Sequence, residues 1–305
     1  MTMVPVRQAS GSSARLQQRA EALAAGLPPL LAAAERVAAT VVQGVHGRRR
    51  IGLGETFWQF RPYEPGDRPQ LIDWRQTAKS DRVFVRDLEW EAAQSLWLWR
   101  DASGSMSWQS VEARDSKRSR AELLALALAA LLLRGGERVT FLGSGLNPGS
   151  GRQALLRMAL TLQREVAETE DLPSEELLPR HGRLVLFSDF LASLDDISAR
   201  LRYYAARGIG GHLVQILDPA ELSFPFSGRL NFEGLEAEKP WLVSRSEAVR
   251  RSYRQRLERQ QLGLAELARR LSWSYSFHRT DRSPESALLQ LYQIVADAPS
   301  TGGRR

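Results

Sequence analysis

Asp101, Ser103 and Ser105 stand at alternate positions in WLWRDASGSMSW, Trp97 to Trp108. A loop that carries side-chain oxygens at i, i+2 and i+4 as it leaves a strand can turn all three towards one point. A hard cation such as Mg²⁺ takes about six oxygen ligands at roughly 2.0–2.1 Å and keeps several of its waters. Serine hydroxyls supply neutral oxygens and the aspartate supplies charge, but one carboxylate leaves such an ion under-neutralised. A second carboxylate stands in FSDF, where Asp189 ends another apolar run. The same residue types also serve a plainer purpose, because aspartate and serine cap helices and close turns. Two carboxylates at the ends of two apolar runs favour a metal site holding Mg²⁺ or Mn²⁺.

The elements that must position these residues follow from periodicity. SLWLW is a short apolar run of the kind buried on both faces of a sheet. RVTFLGSG, RLVLFSDF, GHLVQILD and WSYSFHR read as further strands. Between them, Ala121 to Leu133, Arg152 to Glu168, Leu194 to Arg207 and Ser246 to Leu271 read as helices, and Pro284 to Ala296 as a last one. Strands alternating with helices predict an α/β fold: a parallel sheet with helices on both faces. Ligands of such sheets bind beyond the carboxyl ends of the strands, where Asp101 and Asp189 fall. The stretch ELSFPFSGRLNFEGLEAEKPWLV predicts a small hairpin.

The chain has 305 residues, no cysteine and a net charge of +7. Lack of cysteine excludes disulfides, thiolate metal sites and a cysteine nucleophile. The N-terminus has no secretory pattern, and Leu123 to Leu133 is far shorter than the roughly 20 residues that span a bilayer. A cytoplasmic protein with no transmembrane segment is the expectation, and peripheral association with a membrane stays open. The domain division expected is 1–50, a helical segment broken at GLPP; 51–92, a β extension; 93–298, the α/β domain; and 299–305, a loose tail.

Other features admit two readings each. Tyr63, Asp67, Asp73, Trp74 and Arg75 form either a docking surface or a turn in which the aspartates satisfy backbone donors and Trp74 plugs the core. From Arg245 to Arg270 eight arginines face three glutamates, a surface for phosphates or simply a solvated face. No helix-turn-helix, RNP or zinc-finger pattern accompanies it, which argues against nucleic acid. His46, His181, His212 and His278 have no ligand spacing; His212 and His278 fall in strands and read as structural. Neither a Walker A loop nor a Gly-x-Ser-x-Gly elbow is present.

The pattern Asp-x-Ser-x-Ser-Met with a later strand-end aspartate resembles the metal-ion-dependent adhesion site of von Willebrand factor A domains. Upstream, Gly52, Gly54, Glu55, Arg61, Tyr63, Pro65, Gly66, Asp67, Ile72, Asp73 and Trp74 follow the ordered motifs of the bacterial domain of unknown function 58 family. That resemblance implies a von Willebrand factor A-like, Rossmann-type domain with an N-terminal helical and β extension. It further implies a non-enzymatic adaptor that acts with a MoxR-type AAA+ ATPase. Adhesion sites also use a threonine after the second strand; GSGLNPGSGR has none, so Ser150 or Ser144 takes its part. Arg100 stands where an apolar residue is usual, and folded back it would occupy the cation's place.

The metal expected is thus held by Asp101, Ser103, Ser105, Asp189 and Ser150, with a carboxylate from the MoxR-type ATPase or another acidic protein completing its shell. Two further classes compete: an electrostatic binder of nucleic acid or anionic membrane through the arginine-rich helix, and a metal-dependent phosphohydrolase.

Overall fold

Along Leu96, Trp97, Leu98 and Trp99 the side chains alternate between two cores, and the whole domain is built around that alternation. The computed structural model describes residues 29–44, 56–63, 72–79, 82–89, 94–163, 171–232, 241–243 and 246–297. Asp67, the helix expected before Gly26 and the tail 299–305 lie outside these residues.

In chain order the elements are α1 (Pro29–Gly44), β1 (Thr56–Pro62), α2 (Trp74–Thr77), β2 (Phe84–Glu89), β3 (Ser95–Arg100) and a 3₁₀ turn (Gly104–Ser107). Then come α3 (Lys117–Arg134), β4 (Arg138–Phe141), α4 (Gly151–Gln163), β5 (Arg183–Ser188), α5 (Leu194–Ala205) and β6 (Gly210–Leu217). The last are α6 (Pro219–Ser223), β7 (Leu230–Phe232), β8 (Trp241–Val243), α7 (Ser246–Arg270), β9 (Ser274–Arg279) and α8 (Pro284–Asp297). The expected strands and helices of the α/β region are all present, and β7 and β8 form the expected antiparallel hairpin.

β3, β4, β5, β6 and β9 make one sheet in the order β4-β3-β5-β6-β9, every pair parallel. β1 and β2 pair antiparallel in a separate two-stranded sheet. Strand side chains point alternately to opposite faces. Leu96, Leu98, Val185, Phe187, Val214 and Ile216 accordingly share a core with α1, α3, α4 and α8. Trp97, Trp99, Leu184, Leu186 and Leu213 share another with α5 and α7. α3 lies deep because it is apolar on nearly every side. It packs on the sheet and also against α1, α4 and α8.

Close packing of the second core leaves no room for a side chain at Gly211. Trp273, just before β9, lies against β6 with its indole N–H donating to the carbonyl of Ile209 at 3.0 Å. A methyl group on Gly211 would lie 2.3 Å from Cε3 of that indole. Gly211→Ala is expected to cost about 1–3 kcal/mol through overpacking, measured as a lowered urea midpoint. An unchanged midpoint would show that the indole can shift freely. Among the described residues no helix is long and apolar enough to cross a membrane.

The strand order decides where a site can form. From β3 the chain moves to β4 on one side, then returns to β5 on the other. This reversal opens a crevice between the carboxyl ends of β3 and β5, the switch point at which parallel sheets of this kind hold ligands.

Candidate functional site

Asp101 and Asp189 are the residues that directly follow β3 and β5, so they flank that crevice. Both are 1% exposed. Asp101 is anchored at its backbone by donating its N–H to Phe187 O at 2.9 Å. Its Oδ1 accepts the N–H of Ser103 at 2.8 Å, closing a turn, and its Oδ2 accepts the Ser188 hydroxyl at 2.6 Å. Burial, then the nearby charge of Asp189, raise the Asp101 carboxyl to about 6, with the bonds from Ser103 and Ser188 opposing the shift.

The hydroxyl of Ser105 donates to Asp189 Oδ2 at 2.8 Å and lies 3.1 Å from that of Ser103. Asp101, Ser103, Ser105 and Asp189 are therefore gathered as their spacing suggested. Ser103 precedes the 3₁₀ turn without capping it through its side chain. Ser150 is exposed at the start of α4, outside this network. Ser144 closes its own turn, donating to Phe141 O at 2.6 Å and accepting from Leu146 N at 3.2 Å.

The cation in the cluster is one the motif did not suggest. Lys117, the first residue of α3, is 1% exposed and places Nζ 2.7 Å from Asp189 Oδ2 and 2.6 Å from Glu221 Oε1. Burial opposes its charge, but Asp189 and Glu221 outweigh burial and hold the ammonium above the ordinary lysine value. Arg100 does not fold back towards the strand-end carboxylates. Its side chain points to Glu122, with Nε 3.2 Å from Oε1. The alternation of β3 accounts for this: Arg100 follows Leu96 and Leu98 on the α3 side of the sheet.

Glu221 owes its position to a capping box. Asp218 caps the short helix α6 by accepting from Ala220 N at 2.9 Å, while Glu221 accepts from Asp218 N at 2.8 Å. Its other oxygen is thereby left facing Lys117. Asp218 also accepts from Ser110 N at 2.9 Å, which ties the loop after β3 to that after β6. Gln215 on β6 donates to the carbonyl of Asp189 at 2.9 Å and accepts from the Tyr275 hydroxyl of β9 at 2.7 Å.

From outside, α7 clamps both acidic loops. Gln260 donates to the carbonyls of Phe190 and Ala192 at 2.8 and 3.0 Å. Arg250 donates to Phe226 O at 2.8 Å and Arg254 to Ser223 O at 2.5 Å. Tyr253 packs on Phe224, ring centroids 5.0 Å apart. Burial, with the charges of Glu221 and Asp189, pushes its hydroxyl far above the usual tyrosine value. Phe190 and Phe224 hold left-handed backbone, φ 52° and 46°, a costly conformation for such residues that the clamp sustains. Part of the arginine-rich helix thus acts internally, while Arg269 and Arg270 pair with Glu266.

The remaining residues singled out by sequence divide. Asp73 is buried and caps α2, accepting from Gln76 N at 2.8 Å. Trp74 is 68% exposed and does not plug the core; Tyr63 and Arg75 are exposed too. His212 is held between the hydroxyls of Ser274 and Ser276 at 2.7 and 2.8 Å, and burial lowers it to about 4, so it is a neutral structural residue.

A divalent ion does not fit this arrangement. Asp189 Oδ2 already receives an ammonium and a hydroxyl, and both oxygens of Asp101 accept protein donors. Among the described residues no three His, Asp or Glu side chains come together to hold a metal. Lys117, Glu221, Ser188 and Gln215 escaped the sequence reading. Lys117 alone left a signal, being one of three lysines in a chain with thirty-nine arginines.

Fold and site together define an α/β protein of the doubly wound type, with a charged cluster at its switch point. The family model described as protein of unknown function DUF58 matches residues 59–263, and the chain belongs to that family. An uncharacterized protein of Mycobacterium bovis and two of Mycobacterium tuberculosis are each 29% identical over 233 residues, covering 70% of this chain and 71% of each relative. No solved structure gives a significant match.

Proposed function

We propose that this protein is a cytoplasmic interaction module, an adaptor that acts with a MoxR-type AAA+ ATPase through the carboxyl edge of its parallel sheet. One observation carries the location. The loops leaving β4, β3 and β5 each expose an apolar residue, Leu146 (47%), Val111 (fully) and Leu191 (54%). The loop after β5 is held from beneath by Lys117 and from outside by Gln260, the loop after β3 is tied to Asp218 through Ser110 N, and the loop after β4 is closed by Ser144. Apolar side chains on loops fixed by a rigid scaffold are typical of recognition surfaces. The partner class rests on the family resemblance of the Gly52–Trp74 motifs.

The test is capture of the organism's MoxR-type ATPase by the tagged chain. Val111→Asp with Leu191→Asp is expected to weaken capture at least about tenfold, since desolvated apolar anchors contribute on the order of 1–2 kcal/mol each. Both residues are exposed, so the melting temperature should stay within a degree or so of wild type. Full capture by the folded double variant would move the contact elsewhere.

A further inference from the structure

A chain that meets its need for positive charge with thirty-nine arginines uses a lysine at position 117. Arginine would bring a wide planar fork there, whereas an ammonium is a compact point charge on a narrow stem. The position is a poor one for any cation on local grounds. It opens an eighteen-residue helix whose first turn has no acidic residue, and a helix N-terminus carries partial positive charge. What holds the ammonium there is tertiary: Asp189 from the end of β5 and Glu221 from α6, at 2.7 and 2.6 Å.

The oxygen that receives Lys117 is also the one that receives Ser105, whose hydroxyl lies 3.1 Å from that of Ser103. Serines, strand-end aspartate and ammonium therefore converge where the Asp-x-Ser-x-Ser loop would gather oxygens around an ion. The geometry points to Lys117 as the resident cation of this site. Its ammonium neutralises Asp189 and Glu221 in place of a divalent ion, and the site takes no Mg²⁺ or Mn²⁺ while the lysine is in position. Combined with the adaptor reading, on which this consequence rests, the partner is engaged without a metal bridge and capture persists in chelator.

The experiment is a Mn²⁺ titration of the isolated full chain, followed by the electron paramagnetic resonance signal of the free ion. Wild type is expected to leave the signal undiminished at millimolar Mn²⁺, and to melt at the same temperature in Mg²⁺ and in EDTA. Lys117→Ala frees two carboxylates and removes the ammonium. It is expected to bind Mn²⁺ stoichiometrically and to melt higher as the ion is added. Both effects should vanish in Lys117→Ala with Asp189→Asn. Stoichiometric binding by wild type that Asp189→Asn abolishes would overturn the proposal, as would a folded Lys117→Ala that binds nothing. If Lys117→Ala does not fold, wild type beside Asp189→Asn decides alone: Asp189-dependent binding overturns the assignment and its absence supports it. No partner is present in this titration, so its failure is distinct from failure of the adaptor reading.

Discussion

Lys117→Met is expected to melt roughly 10 °C below wild type. The methionine fills most of the volume, so the loss is electrostatic. Removing one partner of a buried ion pair typically costs about 3–5 kcal/mol, because the other charge is left without compensation. Here Asp189 and Glu221 are both left so, with side chains only 2% and 14% exposed. The deficit should shrink as pH falls, since protonation removes the stranded charges. It should also shrink in Lys117→Met with Asp189→Asn and Glu221→Gln, a neutral version of the cluster. Thermal denaturation of the three proteins checks this. If the triple variant is less stable than the single one, the cluster's charges are not the origin of the loss.

Asp101→Asn is expected to act in the opposite sense, stabilising the protein at neutral pH. The Asp101 carboxyl is raised from 3.8 to about 6 by burial and by Asp189. A raised acid binds its proton more tightly in the folded than in the unfolded state. The contribution of Asp101 to wild-type stability therefore falls as pH climbs from about 4 to about 6, by about 3 kcal/mol for a shift of that size, and is lost above pH 6. Asparagine keeps the acceptor for Ser103 N and carries no charge to desolvate. The variant should gain up to about 3 kcal/mol over wild type near pH 7.5 and match it near pH 4. Urea midpoints at the two pH values measure the difference. Equal destabilisation at both would mean that the carboxylate's bond with Ser188 outweighs its burial.

Much of this was legible in the sequence, for specific reasons. The runs SLWLW, RLVLFSDF and GHLVQILD are apolar at consecutive positions because both faces of the strands are covered, so their parallel pairing could be read directly. Asp101 and Asp189 could be placed at one edge because they end two such runs. The cation could not. Lys117 lies sixteen residues beyond Asp101 and seventy-two before Asp189, and only strand order and the start of α3 bring its ammonium to them. Whether Arg100 folds back stays open in the sequence, and the geometry of the strand decides it: adjacent strand residues face opposite ways, so Arg100 turns to Glu122. Glu221 sat unnoticed in DPAELS, where a capping box accounts for both acids and gives no hint that one of them reaches further.

The clamp by Gln260 and the relay from Tyr275 through Gln215 to Asp189 also govern when this surface exists. Its pieces span Asp101 to Tyr275, so a chain emerging from the ribosome can pair β3, β4 and β5 early yet cannot finish the edge until β9 has docked. The proposed recognition surface is therefore among the last features to mature. A nascent or C-terminally clipped chain would carry the acidic loops without the elements that fix them, and a partner reading this edge would engage only molecules that have completed folding.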